Sequence, residues 1–115
     1  MLFRSYAEAE PLLRECLKFR EQNEANDYLT FYTKSLLGGS LLGQKKYAEA
    51  EPLLLKGFEG MKQREKTIPP QGRVRLPEAL DRLIDDYTAT NKPDEVRRWR
   101  AERVKYAEAE PAENK

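Results

Sequence analysis

The sequence has no histidine and only one cysteine, and both shortages restrict the chemistry that it can carry. Histidine is the commonest general base and metal ligand in proteins, so its absence argues against catalysis and metal binding. Cys16 cannot form an internal disulfide bond, so we expect a reducing, cytoplasmic setting. We therefore predict a protein that is not an enzyme, with no catalytic, cofactor-binding or metal-binding residues.

The sequence also lacks a charge imbalance and a long apolar run. Its 21 lysines and arginines nearly balance its 20 aspartates and glutamates, which argues against a generally basic nucleic-acid-binding protein. The longest apolar stretches, such as 53–55, are far too short to cross a bilayer, and the first residues carry no signal-peptide core. We expect a soluble protein without nucleic-acid or membrane partners.

An internal repeat is the strongest pattern that is present. The octapeptide Tyr-Ala-Glu-Ala-Glu-Pro-Leu-Leu fills 6–13 and recurs at 47–54, 41 positions later. A chance match of that length is negligible, so the copies mark a duplicated structural unit. The first six residues occur a third time at 106–111, 59 positions after the second copy. We interpret this third copy as out of register or as an artefact, and 106–115 as a tail or helix extension.

Apolar residues recur with the period of a helix and predict five helices, at about 6–24, 28–44, 47–66, 72–91 and 93–105. In the first, one face carries Tyr6, Ala9, Leu13, Cys16 and Leu17, so we predict that Cys16 is a small core residue. Gly38-Gly39 inside the second helix indicates close approach of a neighbouring helix, because glycine is otherwise costly there. Asn91 ends the fourth helix, since asparagine tolerates the left-handed conformation.

The last predicted helix has a thin apolar stripe and many arginines. Its stripe consists of Val96, Trp99 and Val104. Residues 92–105 hold six basic residues against three acidic ones, so binding to nucleic acid or an anionic surface is one interpretation. We favour a capping helix whose arginine side chains cover the core and whose Trp99 packs inward, because the whole chain is nearly neutral.

The paired helices resemble the tetratricopeptide repeat (TPR) in its longer variant of about 42 residues. In that family helix A carries a leucine and a small residue, a left-handed turn follows, and helix B carries another small residue. The matching residues are Leu37-Gly38, Leu41, Lys45-Lys46-Tyr47 and Ala50, then Leu80, Leu83, Tyr87, Asn91 and Val96. Lys45 stands where the family usually has glycine, and Ile84 where it usually has a small residue. The chain is also similar to repeat regions at the C-terminal ends of large bacterial multidomain proteins.

The resemblance implies an all-α domain over 1–105, in which antiparallel hairpins stack as an α-α superhelix of about two and a half repeats. It also implies a non-enzymatic protein-interaction or scaffold module whose helices A form a concave wall. Carried over by spacing, that wall consists of Tyr32, Ser35, Leu36, Gly39, Leu42, Glu78, Asp81, Arg82, Asp85 and Thr88. Family members that clamp a terminal carboxylate use lysine, arginine and asparagine there, so this wall suits an apolar or basic segment better.

The first predicted helix has no helix A before it in the sequence, so one flank of its apolar face is open. The residues concerned are Tyr6, Leu12, Leu13 and Phe19. Repeats of this kind bury their apolar faces only by stacking on neighbours, and about three are usually needed. The sequence therefore predicts a fragment of a longer array or, alternatively, a structural unit that forms homo-oligomers through its open ends.

Overall fold

Every regular element is helical in a computed structural model that describes residues 5–106. The five helices are α1 (Tyr6–Asn23), α2 (Tyr28–Gly43), α3 (Tyr47–Gln63), α4 (Arg75–Ala89) and α5 (Pro93–Val104). Two short 3-10 turns, Glu65–Thr67 and Pro70–Gly72, lie between α3 and α4. The predicted all-α class is confirmed. The largest shifts are three residues each, at the end of α3 and at the start of α4. α4 begins at Arg75 because the proline-containing segment before it forms a 3-10 turn.

The first two helices begin at side-chain caps. The Ser5 hydroxyl accepts a hydrogen bond of 3.2 Å from the backbone N–H of Glu8. The Asp27 carboxylate accepts one of 3.0 Å from the N–H of Leu29. Such caps satisfy N–H groups that have no partner within the first turn of a helix.

Short connections make consecutive helices antiparallel neighbours. The segments that join α1 to α2, α2 to α3 and α4 to α5 contain only 24–27, 44–46 and 90–92. Each helix packs against the next one along the chain, and α2 also contacts α4. The chain therefore forms two stacked hairpins, α2/α3 and α4/α5, with α1 packed in front of α2.

The turns of the two hairpins have the same backbone geometry. Lys45 and Asn91 occupy their middle positions with positive φ angles of 65° and 59°. The same hydrogen bonds close both turns, from Lys46 N–H to the Leu41 carbonyl and from Lys92 N–H to the Tyr87 carbonyl, each 2.9 Å long. These are the bonds of a helix C-cap built around a left-handed residue.

The core lies between α2, α3 and α4 and continues to α5. Its fully buried members are mainly leucines, together with Phe58, Met61 and Ile68. Trp99 extends this core, because its ring meets Phe58 edge to face at a centroid distance of 5.8 Å. The inward packing predicted for Trp99 is therefore confirmed, but Val104 is 68% exposed and does not belong to the predicted apolar stripe.

Two glycines allow α2 and α3 to approach closely. A Cβ atom at Gly38 would lie 2.7 Å from the Leu54 side chain, as the Gly38-Gly39 pair predicts. A Cβ atom at Gly57 would lie 2.8 Å from the backbone nitrogen of Ser35 and 2.9 Å from the carbonyl oxygen of Phe31. Neither position has room for a larger residue.

The prediction that Cys16 is a core residue is wrong, since its side chain is exposed. Cys16 lies 41 positions before Gly57, at the same place in the repeated sequence. Gly57 is buried because α2 covers that face of α3. Within 5–106 no helix covers the corresponding face of α1, so the apolar pattern there does not result in burial.

The first residue of the third sequence copy is not structurally equivalent to the first residues of the other two. Tyr6 and Tyr47 are the first residues of α1 and α3, whereas Tyr106 follows the end of α5. The Tyr106 side chain is 9% exposed, and Lys62 Nζ lies 5.8 Å from the centre of its ring. The predicted tail beyond it, 107–115, lies outside the described residues.

Candidate protein-interaction groove

A groove of about 540 Å³ lies between α1, α2 and α4. α1 contributes Tyr6, Ala9 and Leu13, α2 contributes Leu36, Gly39, Ser40, Leu42 and Gly43, and α4 contributes Arg82 and Asp85. We call this set the α2 groove. Its surface is mainly apolar, and its volume lies in the range of known ligand pockets.

Glycine residues form part of the floor. The Tyr6 ring lies directly on Gly43, where a Cβ atom would overlap it. The aliphatic part of Arg82 lies over Gly39, where a Cβ atom would be 3.1 Å from Cδ. Gly39 and Gly43 are four residues apart, so Tyr6 and Arg82 lie against successive turns of one face of α2 and form the rims of the groove at these two places.

A single hydrogen bond orients Arg82. Its Nη1 donates to the Ser35 hydroxyl over 2.9 Å. Ser35 is fully buried, so this bond fixes the guanidinium on the groove side of α2. Arg82 forms no ion pair within 5–106, which leaves most of its donors available to a ligand.

Asp85 lies one turn after Arg82 on the same rim and has no hydrogen-bond or ion-pair partner in the described part of the chain. Burial raises the pKa of the Asp85 carboxyl, and the negative charge of Asp81 raises it further. Both causes disfavour the charged form. A cation bound in the groove would oppose both causes, because it would stabilise the charged carboxylate of Asp85.

Five residues of the predicted concave wall line the groove: Leu36, Gly39, Leu42, Arg82 and Asp85. The other five lie elsewhere. Ser35 is buried beneath Arg82, and Asp81 forms an ion pair of 2.9 Å with Arg103 of α5. The guanidinium of Arg75 lies 4.3 Å from the centre of the Tyr32 ring and covers it. Glu78 is exposed outside the groove, and Thr88 lines a different cleft near the α4–α5 turn.

The sequence missed the α1 side of the groove. Tyr6, Ala9 and Leu13 were predicted to be core or self-association residues, and all three also form one wall of the groove. Ala9 is buried and Leu13 packs against the core, as predicted, whereas Tyr6 is 58% exposed. The repeat contains a signal for this arrangement, because helix B of one unit lies beside helix A of the next unit. Of the predicted self-association face, Leu12 and Phe19 are 61% and 60% exposed, whereas Tyr6 and Leu13 line the groove.

Comparisons of the chain with protein-family models, with curated proteins and with solved structures gave no match. None of the described helices is long and apolar enough to span a membrane. The described residues also contain no cluster of three or more acidic, cysteine or histidine side chains suited to hold a metal ion. The functional argument therefore depends on the geometry of the groove.

Proposed function

We propose that the chain is a non-enzymatic protein-interaction module of the TPR type that binds a segment of another protein in the α2 groove. The observation that carries this proposal is the groove itself, an apolar channel of about 540 Å³ bordered by helices of successive hairpins. Grooves of this shape accept amphipathic helices and extended peptides. The stacked hairpins support the family resemblance, which remains part of the proposal.

The ligand that fits best is an apolar segment with one basic residue. Leu13, Leu36 and Leu42 provide the apolar contacts. The carboxylate of Asp85 has no partner within 5–106 and would pair with a lysine or arginine of the ligand. Arg82 has spare donors that would bind ligand carbonyl groups.

The test begins with the selection of peptides from a random displayed library against the intact chain. We expect the selected peptides to combine aliphatic residues with a lysine or arginine. Their affinity is then measured by calorimetry for the wild type and for Gly39→Leu, Leu36→Glu and Asp85→Asn. We expect the first two substitutions to weaken binding at least about tenfold, because they fill or charge the groove.

The matched control is Glu59→Gln, which changes an exposed carboxylate on α3 outside the groove. It should bind the selected peptides as the wild type does. The proposal fails if no peptide is enriched, or if the folded groove variants bind as tightly as the control. Circular dichroism of each variant establishes that it is folded.

A second candidate function is self-association through α1. Leu12 and Phe19 are large apolar side chains that are 61% and 60% exposed on the face that has no neighbouring helix within 5–106. Sedimentation of the wild type should then show a mass that rises with concentration. The double substitution of Leu12 and Phe19 by serine should remove this rise, whereas Val104→Ser, at a residue that is 68% exposed on α5, should not. A constant monomer mass contradicts this candidate.

A further inference from the structure

The fifth residue of both octapeptide copies, at 6–13 and 47–54, is a glutamate. In each copy its side chain contacts the turn of the hairpin that follows. Glu10 of α1 accepts hydrogen bonds from Gln44 Nε2 at 2.9 Å and from Lys46 Nζ at 3.5 Å. Glu51 of α3 accepts one of 2.9 Å from the Tyr87 hydroxyl, and its other oxygen lies 3.8 Å from Lys92 Nζ. Lys46 and Lys92 occupy the same position in the two equivalent turns. The duplicated glutamate is therefore a repeated contact between units.

The last helix carries the opposite charge at this position. Because the two hairpin turns are equivalent, α5 begins in the register of α3, with Pro93 in the place of Tyr47. Four residues further along each helix, Arg97 stands where α3 has Glu51. Arg97 is thus on the side of α5 that corresponds to the side of α3 on which the α4/α5 hairpin packs. The described part of the chain provides no further hairpin on that side.

A cleft of about 280 Å³ borders Arg97 at this end of the molecule. Its lining consists of Tyr87, Thr88, Asn91, Lys92, Pro93, Val96, Arg97 and Arg100 and contains three cations but no acidic side chain. Arg100 has no ion-pair partner within 5–106, and Arg97 pairs only with the highly exposed Asp94. Pro93 and Val96 add an apolar contact surface. We call this site the α5 cleft.

We propose that the α5 cleft is the docking site for an acidic segment of a different protein, which places a glutamate or aspartate between Arg97 and Arg100. The segment occupies the position that a further hairpin would take, with a carboxylate where the turns of this chain carry Lys46 and Lys92. A second copy that docked like a repeat would bring one of these lysines against Arg97, so the cleft disfavours it.

The distribution of charge on α5 favours a protein carboxylate over a nucleic acid. Outside the cleft, the basic residues of α5 and its end are paired with acidic ones: Arg98 with Glu95, Arg103 with Asp81, and Lys105 with Glu102. Within 92–105 only Arg100 has no acidic partner among the described residues, and it lies in the cleft, which has an apolar side. The acidic partners of Arg97 and Lys92 do not line the cleft. A phosphate backbone would instead need a continuous basic surface.

The test titrates the intact chain, labelled for NMR, with an alanine-based helical peptide that carries glutamates along one face. The same peptide with glutamines is the ligand control. We expect shifts confined to 87–100, and a loss of affinity of about tenfold or more in the Arg97→Glu/Arg100→Glu double variant. Arg98→Glu is the matched control for Arg100→Glu alone, because each reverses one charge on the same helix and Arg98 lies outside the cleft. It should retain binding within about threefold.

Each other outcome overturns the proposal. Equal weakening by Arg98→Glu would mean that the attraction is nonspecific, and an absence of shifts with the glutamate peptide would remove the site. Tighter binding of oligo(dT), lost in the same double variant, would assign the cleft to nucleic acid. Concentration-dependent mass that Arg97→Glu abolishes would assign it to a second copy. The α2 groove variants should leave the cleft unchanged, so this test is independent of the proposed function.

Discussion

Lys45 and Asn91 share a left-handed backbone conformation at the middle position of two equivalent turns. Asparagine adopts this conformation at modest cost, whereas a lysine side chain is strained by roughly 1 kcal/mol. The strain at Lys45 persists because the flanking hydrogen bonds and the packing of α2 against α3 determine the path of the turn.

We therefore predict that Lys45→Gly stabilises the protein by about 0.5–1 kcal/mol, because glycine removes the strain. The free energy of unfolding in urea measures this effect. Lys46→Gly is the matched control, since Lys46 has a negative φ of −92° and no such strain to lose. A stabilisation of the same size in both variants would contradict the explanation.

The glycines at 57 and 39 should respond differently to alanine. A Cβ atom at Gly57 would meet backbone atoms of Ser35 and Phe31, which cannot move aside, so we expect Gly57→Ala to cost about 2–3 kcal/mol. At Gly39 it would meet only the flexible end of Arg82, at 3.1 Å. The gain in helix propensity, about 0.5–1 kcal/mol, should make Gly39→Ala nearly neutral or stabilising. Thermal unfolding of the two variants measures both changes in stability. An equal loss of stability in the two variants would contradict the packing described for α2 and α3.

Asp86 should make stability depend on pH. Its side chain is 1% exposed, and Oδ1 has no hydrogen-bond partner among the described residues. Burial, together with the negative charge of Glu51, raises the pKa of Asp86 to about 6, and the positive charge of Lys92 opposes this shift. Since the pKa is higher in the folded state than in the unfolded chain, the cost of the buried charge is present above pH 6. It disappears as the pH falls towards the unfolded value.

Accordingly, Asp86→Asn should stabilise the protein at pH 7.5, by about 1–3 kcal/mol, and the gain should shrink by pH 5. Urea unfolding at the two pH values measures both quantities. Asp94→Asn serves as the control, because the Asp94 side chain is 90% exposed and its removal should give no such pH-dependent difference. A constant gain at both pH values would show that burial of charge is not the cause.

Cys16 should react in the folded protein. Its thiol is exposed, so a thiol reagent should label it within about tenfold of the rate in denaturant. Cys16→Ser should leave the free energy of unfolding within about 0.5 kcal/mol of the wild type. Labelling that requires denaturant would mean that α1 is covered in solution, for example by a second copy.

The sequence predicted the helices well because their determinants are local. Asp27 begins α2 and Asn91 terminates the hairpin turn after α4, each through its own backbone or side-chain chemistry. The 3.6-residue period also predicted inward positions that the structure confirms, such as Leu17 and Trp99. These features need no knowledge of neighbouring elements.

The sequence indicated an open flank on the first helix, but the period alone does not show which positions of its apolar face a neighbouring helix covers. Cys16 and Gly57 share one place in the repeat, yet only Gly57 is buried, because α2 covers α3 and no described helix covers that face of α1. Tyr6 and Leu13 line the groove because α1 packs beside α2 and α4 at that place, which depends on residues distant in the sequence. The hydrogen bond between Arg82 and Ser35 joins residues 47 positions apart and has no local signature.

The docking of α1 has a consequence for how tightly any ligand is held. α1 packs mainly against α2, whereas α3 packs against both α2 and α4, so α1 can detach while the contacts among α2, α3 and α4 stay intact. Detachment of α1 would remove the wall formed by Tyr6, Ala9 and Leu13 and would leave the α2 side of the groove open to solvent. Apparent affinity would then scale with the fraction of molecules in which α1 is attached, and a ligand would in turn hold this helix in place.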